Sequence, residues 1–122
     1  MASISFKLYE IKAMKEPLTK LMEKEIPVSI AFRINKLVKI IDEHLVEIEE
    51  FRVKLINTHG ERNEEKNQLE IPQRKMKDFT KEMNVLLNEQ VEIEFTPINI
   101  ELFGDDLKLS TKDLMVLEKI FE

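Results

Sequence analysis

His44 and His59 are the only side chains of this 122-residue chain whose ordinary pKa lies near neutrality, so acid–base chemistry at neutral pH would fall to them. His59 stands beside Gly60 at the expected end of a helix, where the dipole favours a cation, and a structural role suffices for it. His44 falls on an apolar seam, where a polar residue ordinarily costs stability. Either it is a satisfied seam residue that sets register or partner choice, or it ligates a metal or switches with pH. Glu47 lies at helical spacing from it, but two residues do not make a metal site. No Ser-His-Asp order, nucleophile elbow or phosphate loop is present, and two glycines are too few for a phosphate cradle.

The other candidates are acidic. Glu92, Glu94, Glu101, Asp105 and Asp106 fall between Val91 and Asp106, a stretch without lysine or arginine. Acids on adjacent strands can hold Mg²⁺ in metal-dependent nucleases while a lysine assists, and Asp106-Leu107-Lys108 supplies those residue types. The spacing is no tighter than chance gives in a chain so rich in Asp, Glu and Lys. Outward-facing strand carboxylates more often protect a sheet edge. No catalytic residue, cofactor or metal ligand is assigned, and a metal-dependent enzyme ranks third among the functional expectations.

The elements that would position these residues are readable from periodicity. The stretch 28–58 lacks glycine and proline, and Ile34, Leu37, Ile41, His44, Ile48, Phe51 and Leu55 recur at alternating steps of three and four. It is expected to form a helix of about 45 Å. Its charge is segregated: Arg33, Lys36 and Lys39 come first, then Asp42, Glu43, Glu47, Glu49 and Glu50 with no base between Ile40 and Phe51. The helix dipole does not favour that order. The tract is a solvated face or a docking surface for a basic partner.

Before the long helix, residues 3–9 alternate as a half-buried strand. A helix over 14–25 follows, with Pro17 in its opening turn, and stops at Ile26-Pro27. After it, Gly60 is expected as a left-handed cap, and 59–71 as an exposed loop. Pro72 opens a helix over 72–89 whose Met76, Phe79, Met83 and Leu86 mirror the seam of the long helix. Its Arg74, Lys75, Lys77 and Lys81 are expected to face the acid tract across an antiparallel hairpin. Strand segments over 91–103 slip phase at Pro97, which suits a sheet edge. Ser110 with Asp113 caps a last helix over 111–121 that carries Leu114, Leu117 and Phe121 on one face. The expected fold is α+β and mostly helical, in a single domain. It has a long antiparallel helical hairpin, a short N-terminal helix and a C-terminal helix. A small antiparallel sheet joins the N-terminal strand to the strands after residue 91.

The totals bound the function. Charged residues make up 35% of the chain, above the roughly 25% of ordinary globular chains, which suits an elongated helical molecule. A net charge of −5 argues against broad nucleic-acid binding. The absence of cysteine removes disulfides and thiolate chemistry and fits a reducing compartment. No leader for secretion and no membrane-length apolar run is visible.

Five segments in order carry a resemblance: Lys7-Leu8-Tyr9-Glu10-Ile11, Glu25-Ile26-Pro27-Val28, Gly60-Glu61 closing the acidic helix, Leu86 to Ile93, and Leu109 to Leu114. Together they resemble a group of small, mostly uncharacterised proteins of tailed bacteriophages and prophages. The resemblance implies a viral origin and a part in the particle or its assembly, located in the host cytoplasm or the phage particle, and carries over no site residue. The leading expectation is a non-enzymatic protein–protein interaction module that binds a protein partner or itself as a homo-oligomer, without membrane or nucleic acid. Its interaction residues would be Ile41, His44 and Ile48 on the seam and Glu92, Glu94, Asp105 and Asp106 in the acid cluster. The alternative is a small acidic inhibitor or regulator that masks a basic host surface.

Overall fold

A computed structural model describes residues 3–104 and 107–122. The element order is β1 (Ser3–Lys7), α1 (Leu8–Met22), α2 (Val28–His59), β2 (Glu61–Asn63), β3 (Gln68–Glu70), α3 (Gln73–Leu87), β4 (Gln90–Glu94) and α4 (Thr111–Val116), with 3₁₀ turns at Ile100–Phe103 and Glu118–Ile120. The fold is α+β and mostly helical, as the periodicity implies.

β1 pairs antiparallel with β4, with Ile4 opposite Ile93 and Phe6 opposite Val91, so the two distant segments close on each other. Phe6 and Ile93 are buried on the inner face, while Ser3, Lys7, Gln90, Glu92 and Glu94 lie exposed on the other. The alternation along both segments dictates this, because a strand turns successive side chains to opposite faces.

The strand ends earlier than expected and the first helix begins earlier. Leu8 starts α1 because the Glu10 carboxylate reaches back to accept the Lys7 N–H at 3.0 Å. Lysine has no acceptor to return, so only that half of a capping box exists. Pro17 therefore sits inside α1, not in its opening turn. A proline there removes the bond that the Ala13 carbonyl would accept and costs about 3 kcal/mol. Met14, Leu18 and Leu21 are fully buried around it, and each such side chain contributes roughly 1.5–3 kcal/mol. The seam outweighs the proline.

α1 ends at Met22, three residues short of the end at Glu25 expected from Ile26-Pro27, in a tight turn where the Glu23 and Lys24 N–H groups reach back to Lys20 and Leu21. The Pro27 carbonyl then accepts the N–H groups of Ile30 and Ala31 to start α2. α2 and α1 pack together, with Ile30, Ile34, Leu37, Val38, Ile41 and Ile48 buried from α2. Lys15 Nζ meets Asp42 Oδ1 at 2.6 Å. The seam holds only as far as Ile48. Phe51, expected to continue it, is 51% exposed, and Leu55 is half-buried.

Gly60 is not a left-handed cap: its φ of −76° and ψ of 152° are extended. Glycine is needed for room. A Cβ there would run into the Ile56 carbonyl oxygen and the Leu69 side chain, because the chain folds back tightly after the helix. The expected exposed loop is instead a β-hairpin, with Glu61 opposite Glu70 and Asn63 opposite Gln68. Asparagines make the turn. Asn63 Oδ1 accepts the N–H groups of Glu65 and Lys66, and Asn67 takes the left-handed conformation at φ 51°.

α3 begins one residue later than expected, with Pro72 as its N-cap, and packs on α2 without a single fully buried residue. After β4 the chain does not resume as a strand. Asn99 Oδ1 accepts the Glu101 N–H, which starts a 3₁₀ turn where period-two alternation had suggested extension. Ile98 alone makes a parallel bridge to Phe121, through Ile98 N–H to Ile120 O and Glu122 N–H to Ile98 O. The Ser110 hydroxyl caps α4 by accepting the Asp113 N–H at 3.0 Å, as the sequence suggests. α4 is short, however, ending at Val116 instead of near 121. It turns Asp113 inward and leaves Leu114 at the surface, while Leu117 and Ile120, beyond its end, are buried.

Candidate functional site

The expected interaction residues divide into two groups that the fold does not bring together into one site. Ile41 and Ile48 lie in the core, on the helix that packs against α1, at 0% and 5% exposure. They are therefore already covered within one chain and are not surface residues. His44 sits beside them with its side chain 20% exposed. Its Nδ1 is buried without a hydrogen-bond partner, because the Glu47 carboxylate stands 3.6 Å away, beyond bonding reach. The ring neither tethers a partner helix nor joins a cluster of ligands.

Glu92 and Glu94 point from the same solvent-facing side of β4. Glu92 Oε2 accepts from the Ser3 hydroxyl at 2.9 Å across the sheet, which anchors that carboxylate, and Glu94 is exposed. Glu101 is exposed on the 3₁₀ turn. Asp105 and Asp106, expected to extend this cluster, lie outside the described residues. Among the described residues, no three His, Asp or Glu side chains converge as a metal would need. Lys108, the basic member of the nuclease-like triplet, lines a shallow cavity with Lys20, Lys24 and Asp113 at the α1–α4 contact, a set that includes none of the strand acids.

The acid tract on α2 does not face α3. His59 Nε2 lies 2.6 Å from Glu82 Oε2, which sets the end of α2 against the middle of α3. The basic start of α3 consequently falls level with the hairpin: Arg74 and Lys75 both pair with Glu61. Among the described residues no ion pair links α3 to Asp42–Glu50. The tract is matched by α1 and by itself. Lys15 holds Asp42, and Arg52 donates to Glu49 at 2.6 and 2.9 Å. The Arg52 hydrogen bonds hold the Glu49 carboxyl below its usual pKa despite an opposing desolvation effect, with smaller help from Arg52 and Lys12 charge.

Two features went unread in the sequence. The first is a polar latch at the chain ends. Lys119 Nζ donates to the Ser5 carbonyl at 2.9 Å and meets Glu10 Oε2 at 3.0 Å. Burial pushes the Glu10 carboxyl up, but the Lys7 N–H and the Lys119 ammonium outweigh it and hold the pKa below the usual value. The second is the extent of the thin region: from Glu49 to Glu92 no residue is buried. Along it Phe79, Met83 and Leu86 are half-covered, while Met76 and Val85 are 43% and 62% exposed. The break in the seam at Phe51 would have signalled it had exposure been visible.

The fold and these surfaces define an α+β, mostly helical protein. Comparison with protein-family models, with curated proteins and with solved structures returns no match for this chain. No helix among the described residues is long and apolar enough to cross a membrane.

Proposed function

We propose that this chain is a non-enzymatic protein–protein interaction module, a structural or assembly component of a tailed phage or prophage. The observation that carries the reading is the half-covered amphipathic helix α3 on a stretch, Glu49–Glu92, that buries no residue. A helix in a stable domain normally buries an apolar stripe, and one that does not offers that stripe to a partner. The resemblance to phage and prophage proteins supplies the biological setting. The test is sedimentation of particles from cells in which the encoding phage or prophage is induced. The protein is expected in fractions of particles or assembly intermediates. Recovery only at the top of the gradient contradicts the reading.

The second reading, a small acidic inhibitor of a basic host surface, is favoured by Glu92 and Glu94 projecting from one face of β4. Changing Glu92, Glu94, Asp105 and Asp106 to their amides separates the two readings. An inhibitor is expected to lose its target, whereas an assembly component keeps its place in the gradient.

A further inference from the structure

Beside its core-facing seam, about a third of a turn around the helix, α2 carries a second row on a flank that is mostly in water. It runs from Val28 through Phe32 to Val53 in alternating steps of four and three, the spacing of a coiled-coil seam. Val28, Phe32, Val46 and Val53 are 86, 59, 58 and 44% exposed. Between these apolar ends lie Lys39, exposed, and Asp42, whose side chain is 48% exposed. Lys36 flanks the row before its centre, and Glu43 and Glu50 flank it after. A basic beginning and an acidic continuation oppose the helix dipole, so the helix's own stability does not account for the order. An antiparallel copy of the same face does.

We propose that α2 pairs antiparallel with α2 of a second copy along this row, with the two-fold axis passing level with Ile40 and Ile41. The proposal rests on the interaction-module reading and names the partner. In this register Lys39 faces Asp42 of the second copy, twice over by symmetry, and Val28 faces Val53 of the second copy. Lys36 flanks Glu43 of the second copy. Phe32 meets Glu49, whose carboxylate is already paired with Arg52, so the ring packs against an ion pair and not a bare charge. Asp42 binds its own Lys15 through Oδ1, which leaves Oδ2 for the incoming lysine. A parallel pairing sets Lys39 on Lys39 and Asp42 on Asp42, which repels. A shift of one heptad in one direction sets Lys39 on Asn35 and in the other sets it on Glu49, which Arg52 already holds. Either shift removes the Lys39–Asp42 pairs and leaves one end of each row unpaired. Charge complementarity therefore selects one isologous, two-fold arrangement.

The test is sedimentation velocity across a dilution series of the whole chain, with Lys39→Glu, Asp42→Lys and the double exchange. The wild type is expected to show a concentration-dependent dimer that weakens with salt. Each single variant is expected to shift dissociation at least tenfold toward monomer, and the double exchange to restore it. A monomer at every concentration, a dimer indifferent to Lys39→Glu, or a double exchange without recovery overturns the proposal. Because Asp42→Lys also loses Lys15, a covalent trap provides a second measurement. The chain has no cysteine, so Asn35→Cys with Val46→Cys is expected to give an oxidised dimer. The two positions are about 16 Å apart on one helix, too far to bridge within a chain. Val46→Cys alone is expected to give none, and equal cross-linking by it overturns the register. A monomeric wild type would leave the interaction-module reading standing, because particle sedimentation reads that separately.

Discussion

Residues 6–48 and residues 49–92 of this chain are built on opposite terms. In the first region α1 and α2 hold twelve buried apolar residues, from Leu8 to Ile48. In the second, the end of α2, a β-hairpin and α3 hold none. Polar pins replace burial there: His59 on Glu82, Arg74 and Lys75 on Glu61, and Asn63 and Lys66 on Glu70. Pairs of that kind at a surface contribute about 0–1 kcal/mol each, against roughly 1.5–3 kcal/mol for each buried aliphatic side chain. The same helix therefore spans a well-anchored half and a weakly anchored one.

The sharpest break of this contrast is a charge placed in each region. Ile41→Asp buries a carboxylate with no partner and is expected to cost more than about 4 kcal/mol, enough to abolish cooperative unfolding. Phe51→Asp, ten residues along the same expected seam, is expected to cost less than about 1 kcal/mol. Thermal melts by circular dichroism read both.

Much of this architecture was legible. The cap at Ser110, the strand alternation of Ile4, Phe6, Val91 and Ile93 and the bounds of α2 are local signals, and local signals survive into the fold. What was not legible depended on reach. Whether Phe51 continues the seam depends on where α3 lies, and the His59–Glu82 contact that fixes this spans distant positions. Pro17 lies deeper in its helix than local propensity alone would place it, because the burial of Met14, Leu18 and Leu21 around it outweighs its cost. The hairpin leaves no trace in apolar periodicity, because its signal is the turn chemistry of Asn63 and Asn67. For the candidate site, residue types were readable and exposure was not. Ile41 and Ile48 look like a docking seam until α1 is seen to cover them.

Truncations sharpen the comparison. Leu18→Ala, in the core, is expected to cost about 2–5 kcal/mol. Met83→Ala, on the half-covered face of α3, is expected to cost about 1 kcal/mol or less. Urea denaturation of the two variants gives the ratio directly.

Gly60→Ala tests the join between the regions. Its Cβ would strike a helix carbonyl that cannot swing away, so about 1–3 kcal/mol of overpacking is expected. The loss should appear as faster amide exchange in β2 and β3 before α1 is affected. Unchanged exchange there would show that the fold-back has room to spare.

The smallest effect concerns the latch between the chain ends. Against the effect of burial, the Lys7 N–H and the Lys119 ammonium hold the folded pKa of Glu10 below the ordinary glutamate value of about 4.5. Its carboxylate therefore contributes stability that is present above about pH 4.5 and lost as pH falls through the lower folded value. Glu10→Gln is expected to reduce stability slightly at neutral pH and to flatten the acid limb of the stability curve. Denaturation midpoints measured on both sides of pH 4.5 check the sign, and a steeper acid limb would contradict it.

Native-state hydrogen exchange, read residue by residue on dilute protein, tests the two-region description most directly. Amides of α1 and of α2 up to Ile48 are expected to exchange only through global unfolding. Those of α3, and of α2 beyond Phe51, are expected to exchange through local opening at lower free energy. Equal protection along the whole of α2 and α3 would contradict the division and mean that the polar pins hold the second region as firmly as burial holds the first.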